Sequence, residues 1–140
     1  MVRVMASGVF DILHTGHISY LEQAKAMGDE LYVVVASDDT VRKRKHEPIT
    51  PGTMRVRIVS SLKVVDKAFL GNSGGDFYSI LKEIKPDIIV LGFDQTFDEK
   101  ELEADLRSKG FDITVKRASQ SGEDLEATRA IIKKIREGVR

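Results

Sequence analysis

Short apolar runs alternate with helical segments along the whole chain, and this alternation limits the fold more than any other feature. Leu31-Tyr32-Val33-Val34-Val35-Ala36 and Ile88-Ile89-Val90-Leu91 are continuously apolar. A strand with one wet face would alternate in polarity, whereas runs of this length suit strands covered on both faces, as in a parallel sheet. Strand-like segments fall at residues 2–6, 31–36, 68–70, 88–91 and 113–115. Between them, Ile18, Leu21, Gln23-Ala24 and Met27 follow helical spacing, with Gly28 as the stop. Val56, Ile58-Val59 and Leu62 predict a second helix. Phe77, Ile80-Leu81 and Ile84 predict a third, ended before Pro86. Leu102 and Leu106 mark a fourth, halted at Gly110, and Ala127, Ile131-Ile132 and Ile135 mark the last. The expected fold is α/β: a single doubly wound parallel sheet of five strands with helices on both faces, Rossmann-like, in one domain over residues 1–140. Residues 42–52, with Arg42-Lys43-Arg44-Lys45-His46 and two prolines, and 71–76, with three glycines, are expected loops. Loops at strand carboxyl ends hold ligands in this architecture.

The bulk properties exclude several classes. The formal net charge is zero, which gives no support to a nucleic-acid partner. The chain has no cysteine, so disulfides, thiolate metal sites and a cysteine nucleophile are out. No apolar run approaches the ~20 residues that span a bilayer, and the start of the chain lacks a signal-peptide pattern. The expected location is cytoplasmic, with no membrane contact.

The stretch Gly8-Val9-Phe10-Asp11-Ile12-Leu13-His14-Thr15-Gly16-His17 carries the chemistry. It follows the first strand and opens the first helix. A helix N-terminus offers unpaired N–H groups and positive dipole, which suits phosphate. Gly16 permits close backbone approach, and two imidazoles add donors to the same oxygens. A surface or capping histidine is the alternative for each ring. A zinc site is disfavoured, because no cysteine and no clear third histidine accompanies the pair. Neither G-x-G-x-x-G nor G-x-x-x-x-G-K-[ST] occurs.

His14-Thr15-Gly16-His17 resembles the H-x-G-H signature of the nucleotidyltransferase superfamily, the cytidylyltransferase-like proteins, and Gly8-Val9-Phe10-Asp11 resembles the same family's G-x-F-D. Within the superfamily the chain looks most similar to the archaeal FAD synthase branch, the FMN adenylyltransferases, with glycerol-3-phosphate cytidylyltransferase as a near relative. Ile84-Lys85-Pro86-Asp87-Ile88 and Leu91-Gly92-Phe93-Asp94-Gln95 carry that similarity, the last resembling a G-Y-D-Q element. The resemblance implies a nucleotidyltransferase-type fold and transfer of AMP from ATP to FMN, giving FAD and pyrophosphate. It implies a divalent cation (Mg²⁺ or similar) travelling with ATP, no metal site on the protein, and a homodimer.

It also implies site residues. His14 and His17 would stabilise charge at the α-phosphate, and Arg55 with a loop lysine, Lys45 or its competitor Lys43, would hold the β- and γ-phosphates. Val9, Phe10, Thr15 and Gly16 would surround the nucleotide. Asp94, after Gly92, would contact the base or ribose, an Asx turn being the other reading. Two roles are open for Asp11: orienting the turn, or helping to place a metal ion. Thr128 would bind phosphate at the start of the last helix, where Ala127 and Arg129 replace the hydroxyls usual in relatives. Transfer of CMP or AMP to glycerol-3-phosphate or a sugar phosphate, and a non-catalytic nucleotide-binding module, are the alternative functions.

Overall fold

The structure is a computed structural model, and it describes residues 1–44, 47–72, 77–120 and 128–138. Strands β1 (Arg3–Gly8), β2 (Glu30–Val35), β3 (Lys67–Leu70), β4 (Ile88–Leu91) and β5 (Thr114–Arg117) form one sheet in the order β3-β2-β1-β4-β5. Every pairing is parallel. Helices α1 (Thr15–Ala26), α2 (Asp38–Arg44), α3 (Gly52–Ser60), α4 (Phe77–Ile84), α5 (Glu99–Ser108) and α6 (Thr128–Arg136) complete the chain.

The continuous apolar runs find the double cover that they predict. Val4, Ala6, Leu31, Val33, Val35 and Val90 pack with Leu21 and Ala24 of α1 and Val59 of α3. Met5, Val34, Ile89, Leu91 and Val115 pack with Leu81 and Ile84 of α4 and Leu106 of α5. Neighbours along each strand therefore enter opposite clusters, as strand geometry requires. Strand order runs outward from β1 through β2 to β3, then restarts beside β1 with β4. The carboxyl ends of β1 and β4 thus flank the switch point, where open α/β sheets bind ligands.

Three details differ from expectation. Residues 42–44 are helical, as the last turn of α2. This helix has one buried residue, Val41, and so no apolar period to reveal it. Its start is fixed instead by Ser37, whose Oγ accepts from Thr40 N at 3.2 Å, and by acidic residues in the first turn against basic ones in the last. Helix α3 begins at Gly52, ahead of its first apolar marker. Gly28 follows α1, but a Cβ there would lie 2.7 Å from Val4 Cγ2 and 2.9 Å from Val2 O. Close approach of β1, more than helix termination, demands a glycine at that position. Lys85, at φ 55, ends α4 just before Pro86 as expected. Of the expected loop at 71–76, residues 73–76 lie outside the described residues, as does Ala127.

Candidate active site

The turn after β1 is strained. Phe10 and Ile12 both have φ 55, in the left-handed region, and Ile12 is β-branched. Such a conformation costs roughly 1–3 kcal/mol per residue and persists only where the surroundings hold it. Asp11, between them, supplies the hold. It is buried at 3% exposure. Its carboxylate accepts from Ile49 N at 2.7 Å, Thr50 N at 3.0 Å and Thr50 Oγ1 at 2.6 Å. Burial pushes its pKa up, but the bonds from Thr50 and Ile49 and the charge of Arg55 bring it below the ordinary value. Of its two open roles, the geometry provides the orienting one. The Phe10 ring folds back over Gly8, where a Cβ would sit 3.0 Å from it, and packs 5.3 Å from the His17 ring.

Helix α1 starts on the two histidines. His14 is its N-cap residue, and His14 Nδ1 accepts from Gly16 N at 3.0 Å. His17 Nδ1 accepts in turn from His14 N at 3.2 Å. The rings stack with centroids 3.8 Å apart. This is a capping box built from imidazoles in place of a hydroxyl and a carboxylate. It leaves the proton of each neutral ring on Nε2, so Nε2 is the donor. The capping and phosphate-binding readings of these residues are therefore compatible: the cap sets the tautomer. Thr15 is exposed at the first helical position. One turn further on, Tyr20 Oη donates to Val90 O at 2.5 Å and accepts from Ser7 N at 3.2 Å, which pins α1 across β1 and β4. Burial drives the Tyr20 phenol far above its usual range, and the charge of Asp94 adds to this.

Arg55 is expected at a triphosphate, and its guanidinium is buried at 1% exposure among protein oxygens. Nη1 donates to Val9 O and Ala36 O, each at 2.8 Å, Nε to Thr50 O at 3.0 Å, and Nη2 to Asp38 Oδ1 at 2.5 Å. It thereby ties the ends of β1 and β2 to the starts of α2 and α3. Lys45 lies outside the described residues, while Lys43 is exposed on α2.

Across the switch point, the loop after β4 carries Gly92 and Asp94. Gly92 N donates to Gln95 Oε1 at 2.9 Å, and Asp94 is exposed. Arg117, at the end of β5, donates to the carbonyls of Gly92 and Gln95 at 2.9 and 2.7 Å and to that of Phe97. From the other direction, Thr128 Oγ1 donates to Asp11 O at 2.8 Å, which brings the start of α6 to the strained turn. The structure so gathers His14, His17, Val9, Phe10, Gly16 and Thr128 at one end of β1, with Gly92 and Asp94 beyond β4. Sequence reading missed Tyr20, Asp38, Thr50 and Arg117. Their signal was weak: Asp38, Thr50 and Arg117 are ordinary polar residues at or beside an element's end and Tyr20 lies in the middle of α1, and only the folded chain shows what each holds. Among the described residues, no group of three or more His, Cys, Asp or Glu could hold a metal ion. A cleft of about 430 Å³ lined by Leu81, Lys85, Pro86, Phe111 and Ile113 opens at the amino ends of β4 and β5, away from all of these residues.

Residues 5–137 match the cytidylyltransferase-like family model. A FAD synthase of Aciduliprofundum boonei is 53% identical over 136 residues, covering 96% of this chain and 91% of that protein. A FAD synthase of Thermoplasma volcanium is 48% identical, covering 98% and 96%. Among solved structures, one described as the lipopolysaccharide core biosynthesis protein of Thermoplasma volcanium superposes with a TM-score of 0.83 at 51% identity, over 86% of this chain and 98% of that one. A protein of unknown function from Archaeoglobus fulgidus shares the fold, with a TM-score of 0.70 at 17% identity over 89% and 96%.

Proposed function

The chain belongs to the cytidylyltransferase-like family, beside archaeal FAD synthases that match it over nearly its whole length, and from that premise we propose that it is an FMN adenylyltransferase. It transfers AMP from ATP to FMN. A phosphate oxygen of FMN attacks the α-phosphorus, the bond to the β-phosphate oxygen breaks, and pyrophosphate leaves with that electron pair. FAD is the other product. No protein nucleophile is needed, because such transfer depends on positioning and charge stabilisation.

The observation that carries this reading is the stacked pair His14 and His17 at the start of α1, beside the switch point. Each ring offers an Nε2–H donor, and the helix start adds its positive dipole. The α-phosphate gathers charge as the reaction proceeds, so fixed donors there favour the transition state. ATP would bring a divalent cation with it, Mg²⁺ being the simplest choice, and that ion would offset phosphate charge. Lys45 or Lys43 meets the β- and γ-phosphates. Val9, Phe10, Thr15 and Gly16 shape the nucleotide's floor, Gly92 and Asp94 receive its nucleoside, and Thr128 offers phosphate its backbone N–H at the start of α6, its hydroxyl proton going to Asp11 O. Arg55 acts through the turns it ties together, given the four protein oxygens its guanidinium already serves. We place this one-domain enzyme of FAD biosynthesis in the cytoplasm as a homodimer. No helix among the described residues is long and apolar enough to cross a membrane.

The test is a pyrophosphate-release screen of ATP and CTP against FMN, glycerol-3-phosphate and sugar phosphates. Sugar phosphates belong in it because a similar structure is that of a protein described as acting in lipopolysaccharide core biosynthesis. Release with ATP and FMN is expected. Release only with CTP or with another acceptor overturns the substrate assignment, and ATP binding without release for any acceptor indicates a non-catalytic module.

A further inference from the structure

We propose that Arg117 is a positioning residue for the nucleoside end of the site: it holds the loop after β4 in the shape that presents Asp94. The inference rests on the proposed contact between Asp94 and the nucleoside. Arg117 stands at the last position of β5, beside β4 in the sheet. Its guanidinium reaches the carbonyls of Gly92, Gln95 and Phe97, which bracket Asp94 on both sides. Its Nε also donates to Glu99 Oε1 at 2.6 Å, in the first turn of α5. Three carbonyls that face a common centre need a cation with several donors in a fixed plane, which arginine supplies and lysine does not. Gln95 closes the turn from within by accepting from Gly92 N. The loop's backbone is thus heavily tied while the Asp94 side chain stands exposed, so the ties set where that carboxylate is offered.

The test compares steady-state kinetics of R117K, D94N and the double variant in the full chain. R117K should raise KM for ATP about tenfold with kcat within about twofold, because the loss falls on binding shared by ground and transition states. D94N should do the same, and the double variant should be no worse than the weaker single, since both act through one contact. If R117K fails to fold, E99Q, which weakens the same anchor, should raise KM for ATP several-fold at unchanged kcat. D94N active in raising KM while R117K or E99Q keeps the wild-type KM, or additive effects in the double variant, overturns this inference alone. D94N without effect removes Asp94 from the nucleoside site and overturns both readings.

Discussion

The imidazoles of His14 and His17 lie face to face with centroids 3.8 Å apart, and each accepts a backbone N–H through Nδ1. A nitrogen that accepts cannot hold the proton, so both neutral rings are Nε2–H tautomers. Imidazole ¹⁵N NMR of the free protein should show both rings as Nε2–H. An Nδ1–H signal from either would break the link between cap and donor.

Removing one ring separates its two roles. His17→Ala deletes an Nε2–H donor, and loss of one such donor costs about 10²–10³ in kcat. It also deletes the acceptor for His14 N, a capping loss of ~1 kcal/mol. The expected result is a folded protein, by circular dichroism, with a slightly lower Tm and a collapse in pyrophosphate release. Near-normal turnover would remove His17 from the chemistry.

Asp11 makes the strained turn sensitive to acid. Its pKa lies below the ordinary 3.8 because the bonds it accepts outweigh its burial. A lowered pKa means that the folded state prefers the carboxylate. The stability it contributes is complete above the unfolded value near 3.8 and disappears as pH falls through the lower folded value. Asp11→Asn points an amide N–H at one of three donors, costing about 1–3 kcal/mol near neutral pH. Urea unfolding should show this gap between wild type and variant at pH 7 and a smaller gap near pH 3. An equal gap at both values would mean that the charge of Asp11 contributes nothing.

Apolar patterning made the sheet legible, because a parallel sheet buried on both faces writes itself as runs such as 31–36 and 88–91. It could not reveal α2, which buries Val41 alone. The histidine turn was legible for another reason: a strand, a glycine turn and a helix start are local in sequence, so their residues stay neighbours when folded. Arg117 belongs to Gly92 and Arg55 to Val9 and Ala36 only through sheet order, which no local spacing encodes. The same limit applies to Thr128, whose partner Asp11 is 117 positions away.

Arg55 offers the sharpest separation between contact and positioning. Its guanidinium binds Val9 O, Ala36 O, Thr50 O and the carboxylate of Asp38 at a nearly closed site. Arg55→Lys keeps the charge but loses the fork, so an ammonium serves some of these oxygens and strands the rest. Each stranded buried acceptor costs about 1–3 kcal/mol. We expect a total of about 3 kcal/mol, or ~10 °C in Tm for a chain of this size, measured by calorimetry. The strained turn at Phe10 and Ile12 leans on the same clamp through Val9 and Thr50, so kcat should fall with stability. If Tm holds while activity falls, the clamp is not what matters, and Arg55 then touches the triphosphate itself.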